Sequence, residues 1–217
     1  AYTYNLITKD KSNENKSIAL FEIAKVKLNS DLKETIKIIT KALDLNKNFP
    51  PFIKLQLEAI SKTKNISNLK KLIKNYWYKN PNSLLRYVLL DIIIENNLDN
   101  LDFIKQLVKN NFNDEESKKL FIFFAIRNKE WKLARDNIIG IVGSNPSKEI
   151  CNFMAEIELG EKGDKQKSDA WLLRSQNASV ENLWICKITN QSQLDWDSVS
   201  ISGHFNSLVW TKPKMLN

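Results

Sequence analysis

The stretch from Asn145 to Ala178, NPSKEICNFMAEIELGEKGDKQKSDAWLLRSQNA, constrains the fold more than any other part of this 217-residue chain. Pro146 opens a helix along which Ile150, Phe153/Met154 and Ile157 form an apolar stripe at i, i+3/i+4 and i+7. Gly163-Asp164 then makes a turn, and Ser168 and Ser175, seven residues apart, put small side chains on one face of a second helix. Small residues at that spacing let two helices approach closely. The stretch reads as one complete helical hairpin, a unit that cannot bury its own stripe and needs neighbours of the same kind.

Such neighbours precede it. Ile18, Phe21, Ile23/Ala24 and Val26 are followed by the break Asn29-Ser30-Asp31 and then by Leu32, Ile36, Ile39 and Leu43. Asn46 to Pro51 ends that pair, because proline cannot continue a helix. Further pairs are expected at 52–64 with 67–79, 83–96 with 99–110, 114–127 with 130–142, and 147–160 with 165–177. Pro50, Pro81 and Pro146 are 31 and 65 residues apart, near one and two units of a repeat of roughly 34 residues; the pattern breaks again at Phe112-Asn113, where the missing punctuation belongs.

With only five glycines and almost no strand-like alternation before residue 180, the expected fold is all-α. It is a tetratricopeptide-like right-handed α-α superhelix of about five helical hairpins, with a concave groove and a small, mostly non-helical C-terminal cap. Three regions follow. Residues 1–16, YTYNLIT running into KDKSNENK, have no period and read as a polar tail or linker; 17–180 form the repeat domain; 181–217 form the cap. Three of the six tryptophans fall in the last region. Trp184, Trp196, Phe205 and Trp210 are therefore expected to pack on the final hairpin, against Trp171.

The net charge of +8 sits in the first third: residues 1–80 hold 16 Lys and no Arg against 7 Asp/Glu, whereas residues 81–217 hold 17 Lys/Arg against 18. Lysines scattered without arginine lack the bidentate donors that nucleic-acid recognition favours, so a solvated face is the reading and no nucleic acid is expected. Cys151 and Cys186 cannot build a disulfide framework. The longest apolar runs, such as Leu120 to Ile126, are far too short to span a bilayer. Beginning without Met and in mid-pattern, the chain is expected to be a segment of a longer protein.

The ordered motifs carry a resemblance. Lys41-Ala42-Leu43-Asp44-Leu45 leads through Phe49-Pro50-Pro51 to Trp77 and Asn80-Pro81, with Leu84 and Tyr87 behind. Glu115-Glu116-Ser117, Lys129-Glu130-Trp131 with Ala134-Arg135, and Pro146 with Cys151 follow. Met154-Ala155-Glu156-Ile157-Glu158, Gly163-Asp164 and Trp171-Leu172 with Arg174 complete the series. Over about residues 17–210 this order resembles the C-terminal tetratricopeptide region of the HemY-like family of proteobacterial inner-membrane proteins encoded with haem-biosynthesis genes. The resemblance implies a non-catalytic protein-binding scaffold with an anchor upstream of residue 1 in a bacterial inner membrane, a repeat region on the cytoplasmic side, and haem-biosynthesis enzymes among the protein partners. In relatives the tail resembles a small ribbon with two CxxC pairs; aligned on Trp196, Gly203, Phe205 and Trp210, this chain keeps Cys186, and Thr189, Val199 and Ser202 occupy the other three positions. One thiol with two hydroxyls and a valine does not make a tetrahedral metal site, so no metal is expected.

Catalytic chemistry finds little footing. His204, the single histidine, lies in the turn-like Ser202-Gly203-His204, and no phosphate-binding glycine run exists. Trp77, Phe121, Phe124, Trp131 and Trp171 at helical spacing read as core. Glu156 and Glu158 do not face one another on a helix, so one should point to the groove and the other to solvent. The groove is expected to be lined by the first helix of each pair, with Arg86, Asp91, Asn152 and Glu156 as partner contacts. The alternative is a porphyrin- or haem-binding protein with His204, Cys186 or Met215 as axial ligand, although no CxxCH attachment is present. No enzyme and no cofactor is the reading adopted.

Overall fold

The structure, a computed structural model, describes residues 8–213. Ten α-helices follow one another in five pairs: α1 (Lys9–Lys27) and α2 (Leu32–Leu45), α3 (Pro50–Lys62) and α4 (Ile66–Lys79), α5 (Ser83–Glu95) and α6 (Leu101–Val108), α7 (Glu115–Arg127) and α8 (Trp131–Ile138), α9 (Lys148–Lys162) and α10 (Lys165–Gln176). The fold is a tetratricopeptide-like helical superhelix carrying a small three-stranded sheet. First helices of successive pairs approach one another from α3 through α9, whereas among second helices only α4 and α6 do so. An array drawn together on one side curves toward that side, so the first helices line the concave face.

Local chemistry starts and stops these helices. Thr8, Asp31, Asn65, Asn82, Asn100, Asp114, Ser147 and Asp164 each cap a helix by accepting a backbone N–H two or three residues on. Pro50 and Pro51 begin α3, where the proline nitrogen lacks nothing the first turn needs. The turns inside four pairs each contain a left-handed residue: Lys64, Asn97, Lys129 and Gly163, spaced 33, 32 and 34 residues apart. The repeat is thus written in the backbone as well as in the apolar stripes. Trp77 of α4 is fully enclosed and donates its indole N–H to Ser117 Oγ of α7 at 3.0 Å, tying the second pair to the fourth. Gly160 of α9 lies against the Trp131 ring, which stands 2.6 Å from where a Cβ would be.

Two expectations are corrected. The polar tail assigned to residues 1–16 already contains the start of α1 at Lys9; residues 1–7 lie outside the described residues. Its inward positions, Ser12 and Ser17 before Ile18, Phe21 and Ala24, are too polar to show a period, and Thr8 supplies the cap. The larger correction concerns the C-terminal cap. It does not cover the final pair. After α10 the chain turns back, with Ser179 accepting the N–H of Lys148, and forms β1 (Leu183–Cys186), β2 (Ser192–Gln193) and β3 (Leu208–Thr211) on the concave side of the first three pairs. β1 is central and antiparallel to both neighbours, with Trp184 opposite Trp210.

Aromatic side chains hold this ribbon in place. The Trp196 ring meets Phe21, Phe49 and Phe52 edge-on at centroid distances of 5.2, 5.1 and 5.8 Å. Trp184 packs on Phe49 and Leu84, and Trp210 packs on Tyr87 and donates to Ser83 Oγ at 3.1 Å. Polar ties add Asn206 to Glu14 at 2.8 Å and Lys25 to Asp197 at 3.1 Å. Trp171 stays with the α8–α9 cluster and stacks under Arg174, while Leu172 and Leu173 are 44% and 62% exposed and Phe205 is 55% exposed. The reason is compositional. α10 reads KQKSDAWLLRSQ and buries only Ser168 and Ser175, so the last pair needs no lid, whereas α1, α3 and α5 present an aromatic surface that does.

Trp196→Ala is therefore expected to lower stability by about 2–3 kcal/mol in urea denaturation, the worth of one large buried side chain. Truncation after Ala178 should remove amide-exchange protection from α1 and α3 while α9 and α10 keep theirs. The reverse pattern would place the ribbon at the other end.

Candidate protein-binding groove

The docked ribbon does not fill the concave face. It leaves two adjoining cavities along it. The first, about 630 Å³, lies between the ribbon and α1, α3 and α5; its apolar wall includes Phe21, Tyr87, Trp184, Trp196 and Trp210. The second, about 450 Å³, lies between α9 and the chain leading into β1, and its lining includes Asn152, Phe153, Glu156 and Glu181. Tyr87 and Leu183 line both, so the two form one trough along the first helices.

Arg86 sits beneath that trough with a side chain that is 0% exposed. Its Nε donates to Glu116 on α7 at 2.7 Å, and its two terminal nitrogens donate in parallel to both oxygens of Glu149 on α9, at 2.8 and 2.7 Å. Burial works against the guanidinium charge, but Glu149 and Glu116 more than offset it and hold the group above its usual range. Lys119 completes the cluster, 2.8 Å from Glu115 and 3.3 Å from Glu116. One cation thus bonds three consecutive first helices.

The candidate contacts separate accordingly. Asp91 lines the first cavity, 3.8 Å from Lys54; Asn152 and Glu156 line the second. Arg86 is corrected from groove contact to buried tie, because α5 is apolar on all sides and both of its partners come from inside the array. Glu158 does not face solvent: it accepts from Arg135 on α8 at 2.9 Å, and Arg135 also bonds Glu161. What the sequence reading missed is Glu58, Glu181 and the tryptophan wall, which come together only when the tail folds back.

The turns carrying Thr189 and Ser202 face one another, with the two hydroxyl oxygens 3.0 Å apart. Cys186 Sγ is enclosed, 3.3 Å from Ser207 Oγ and 3.7 Å from Ser200 Oγ, and Val199 points outward. Burial pushes the Cys186 thiol up, but the hydroxyl groups of Ser202, Ser207 and Thr189 around it bring it down to about 5. No group of three or more His, Cys, Asp or Glu placed to hold a metal occurs among the described residues. His204 lies half-buried on the ribbon turn, its backbone N–H on Ser200 Oγ at 3.2 Å, and lines neither cavity; Met215 lies outside the described residues.

The sequence matches no protein-family model and no curated protein sequence. Among solved structures it is similar to one described as "MamA RS-1 ArsTM double mutant", with 11% identity and a TM-score of 0.43 over 75% of this chain and 93% of that one. It is also similar to YrrB, described as a TPR protein with an unusual peptide-binding site, with 14% identity and a TM-score of 0.42 over 77% of this chain and 88% of that one.

Two outcomes follow from the ionisable groups. Arg86→Ala leaves Glu116 and Glu149 desolvated and unpaired, so a loss of about 3–5 kcal/mol in urea denaturation is expected, with much of it restored by adding Glu116→Gln and Glu149→Gln. A loss under about 1 kcal/mol would mean that water reaches the cluster. Glu58 behaves differently. Burial raises its pKa, with Lys54 pulling the other way. A carboxyl with a raised folded-state pKa supports the fold below its unfolded value, about 4.3, and loses that contribution as pH rises through the folded value. Glu58→Gln mimics the protonated form, so the variant should exceed the parent by a few tenths to about 1 kcal/mol at pH 7 and match it near pH 4. Equal stability at both pH values would show that solvent screens the group.

Proposed function

We propose that this chain is a non-catalytic scaffold that holds an extended segment of a partner protein in its concave groove. The observation that carries the reading is the trough itself: an open channel with an aromatic wall and polar side chains facing it, on a rigid helical array. His204 lines neither cavity, and both cysteines are buried.

The resemblance of the ordered motifs to the HemY-like family supports a finer placement: tethered to a bacterial inner membrane by an anchor upstream of residue 1, on the cytoplasmic side, with enzymes of late haem biosynthesis among its partners. No helix among the described residues is long and apolar enough to cross a membrane. For the porphyrin-binding alternative, the first cavity offers an apolar slot, but neither His204 nor Cys186 lines it.

A photo-crosslinking side chain tests the reading in the full-length protein in its own membrane. At Asn152, in the groove, it should yield discrete protein adducts that the same group at the exposed Lys33 on α2 does not. Adducts of equal yield at both positions, or none at Asn152, would mean that the groove is not the binding face.

A further inference from the structure

The trough is acidic although the chain carries +8. Four carboxylates, Glu58, Asp91, Asp195 and Asp197, line its first cavity against Lys25 and Lys54. In the second, Glu149, Glu156 and Glu181 stand against Lys148. The lysines of the first cavity are already engaged, Lys25 with Asp197 at 3.1 Å and Lys54 with Asp195 and Asp91 at 3.6 and 3.8 Å. Glu149 is taken by Arg86.

Three carboxylates remain. Glu58, Glu156 and Glu181 have no hydrogen-bond or ion-pair partner among the described residues, and Oε1 of Glu181 is out of reach of solvent as well. Glu58 and Glu181 are half-buried, so each has lost water without gaining a donor, a cost in free energy that a cation placed beside it recovers, whereas Glu156 is exposed and offers an unpaired charge. The aromatic wall adds to the same preference, since ring faces attract cations and ring bodies bury aliphatic stems.

Both walls carry apolar and acidic residues, but the carboxylates left unpaired on the helix wall are Glu58 and Glu156, while the ribbon's Asp195 and Asp197 are held by Lys54 and Lys25 and the rest of its wall is Trp184, Trp196 and Trp210; Glu181 lies on the chain leading into β1. An extended peptide presents successive side chains to opposite sides, so a segment lying between these walls can give alternate residues to each. We propose that the groove selects an extended protein segment in which basic side chains alternate with apolar ones, the basic residues meeting Glu58, Glu156 and Glu181 and the apolar ones filling the space beside Trp184, Trp196 and Trp210. A polyanion would meet repulsion there. This inference rests on the protein-binding reading above and adds the chemistry of the partner.

The test uses three synthetic peptides of about nine residues with the same leucines, alternating with lysine, with glutamine or with glutamate. Binding to the whole chain is read from tryptophan fluorescence and calorimetry between ~0.05 and ~0.3 M salt. The lysine peptide should bind about tenfold or more tighter than the glutamine peptide and weaken as salt rises, with the glutamate peptide weakest. That order runs against the chain's overall charge, which by itself would draw the glutamate peptide, so it can arise only from local carboxylates. The combined Glu58→Gln, Glu156→Gln, Glu181→Gln variant should lose the lysine preference and keep its affinity for the glutamine peptide. Calorimetry of each variant with the glutamine peptide also reports whether the groove has kept its shape. If the glutamine or glutamate peptide binds as tightly as the lysine peptide, or the triple variant retains the preference, the charge selection is overturned while the groove remains a protein-binding site. If none of the three binds, both readings fall.

Discussion

The buried guanidinium of Arg86 is the interaction on which this superhelix turns. Helix pairs in such an array pack mainly on their neighbours, so curvature and pitch are set by whatever joins the first helices to one another. Arg86 on α5 reaches Glu116 on α7 and Glu149 on α9 with three hydrogen bonds, two of them a parallel fork. A fork has one good geometry, so the three helices are fixed in angle as well as distance. Tyr87, the next residue, receives the guanidinium over its ring at 4.8 Å and forms the wall shared by the two cavities. The shape of the trough is thus a consequence of one ion cluster beneath it.

The ribbon makes the second contribution. A concave face of aromatic and aliphatic residues on the first three pairs would stand open to water were it not for Trp184, Trp196 and Trp210. By folding back, the tail covers that surface, and it also supplies half the walls of the remaining channel. The same three residues therefore serve stability and form the wall of the proposed binding groove. Polar α10 needs no such cover, which is why the chain can leave its last pair bare.

The helix pairs were legible because their signals are local: an apolar stripe every three or four residues, prolines between pairs, Asn, Asp and Ser at caps. The turns inside the pairs were placed, but the left-handed conformation of four of them was largely hidden, since Lys64, Asn97 and Lys129 hold it where glycine would have been the expected mark, and only Gly163 shows it. The start of α1 escaped because Ser12 and Ser17 face inward without being apolar. Arg86 was placed in the groove because it lies on the first helix of a pair; yet it interrupts SLLRYVLLDIIIE, a helix so apolar that a lone cation within it needed buried partners. That signal was present. Where the tail docks was not legible at all, because it depends on contacts between residues such as Trp196 and Phe21 that are far apart in the chain.

The carboxylates give the groove its tension. Glu58 on α3 is half-buried beside an aromatic wall, and burial lifts its pKa because no donor compensates the lost water. Glu181 keeps one oxygen that neither solvent nor protein reaches. Elsewhere Arg86 and Lys119 are each matched by two glutamates, and Arg135 bonds Glu158 and Glu161 while its Nη2 and the Oε2 of Glu158 stay without a partner. Glu58, Glu156 and Glu181, unmatched, lie along one trough and share one charge. A neutral side chain at any of them would leave the helices as well packed, so their cost to the folded state is best understood through what an incoming cation would find there.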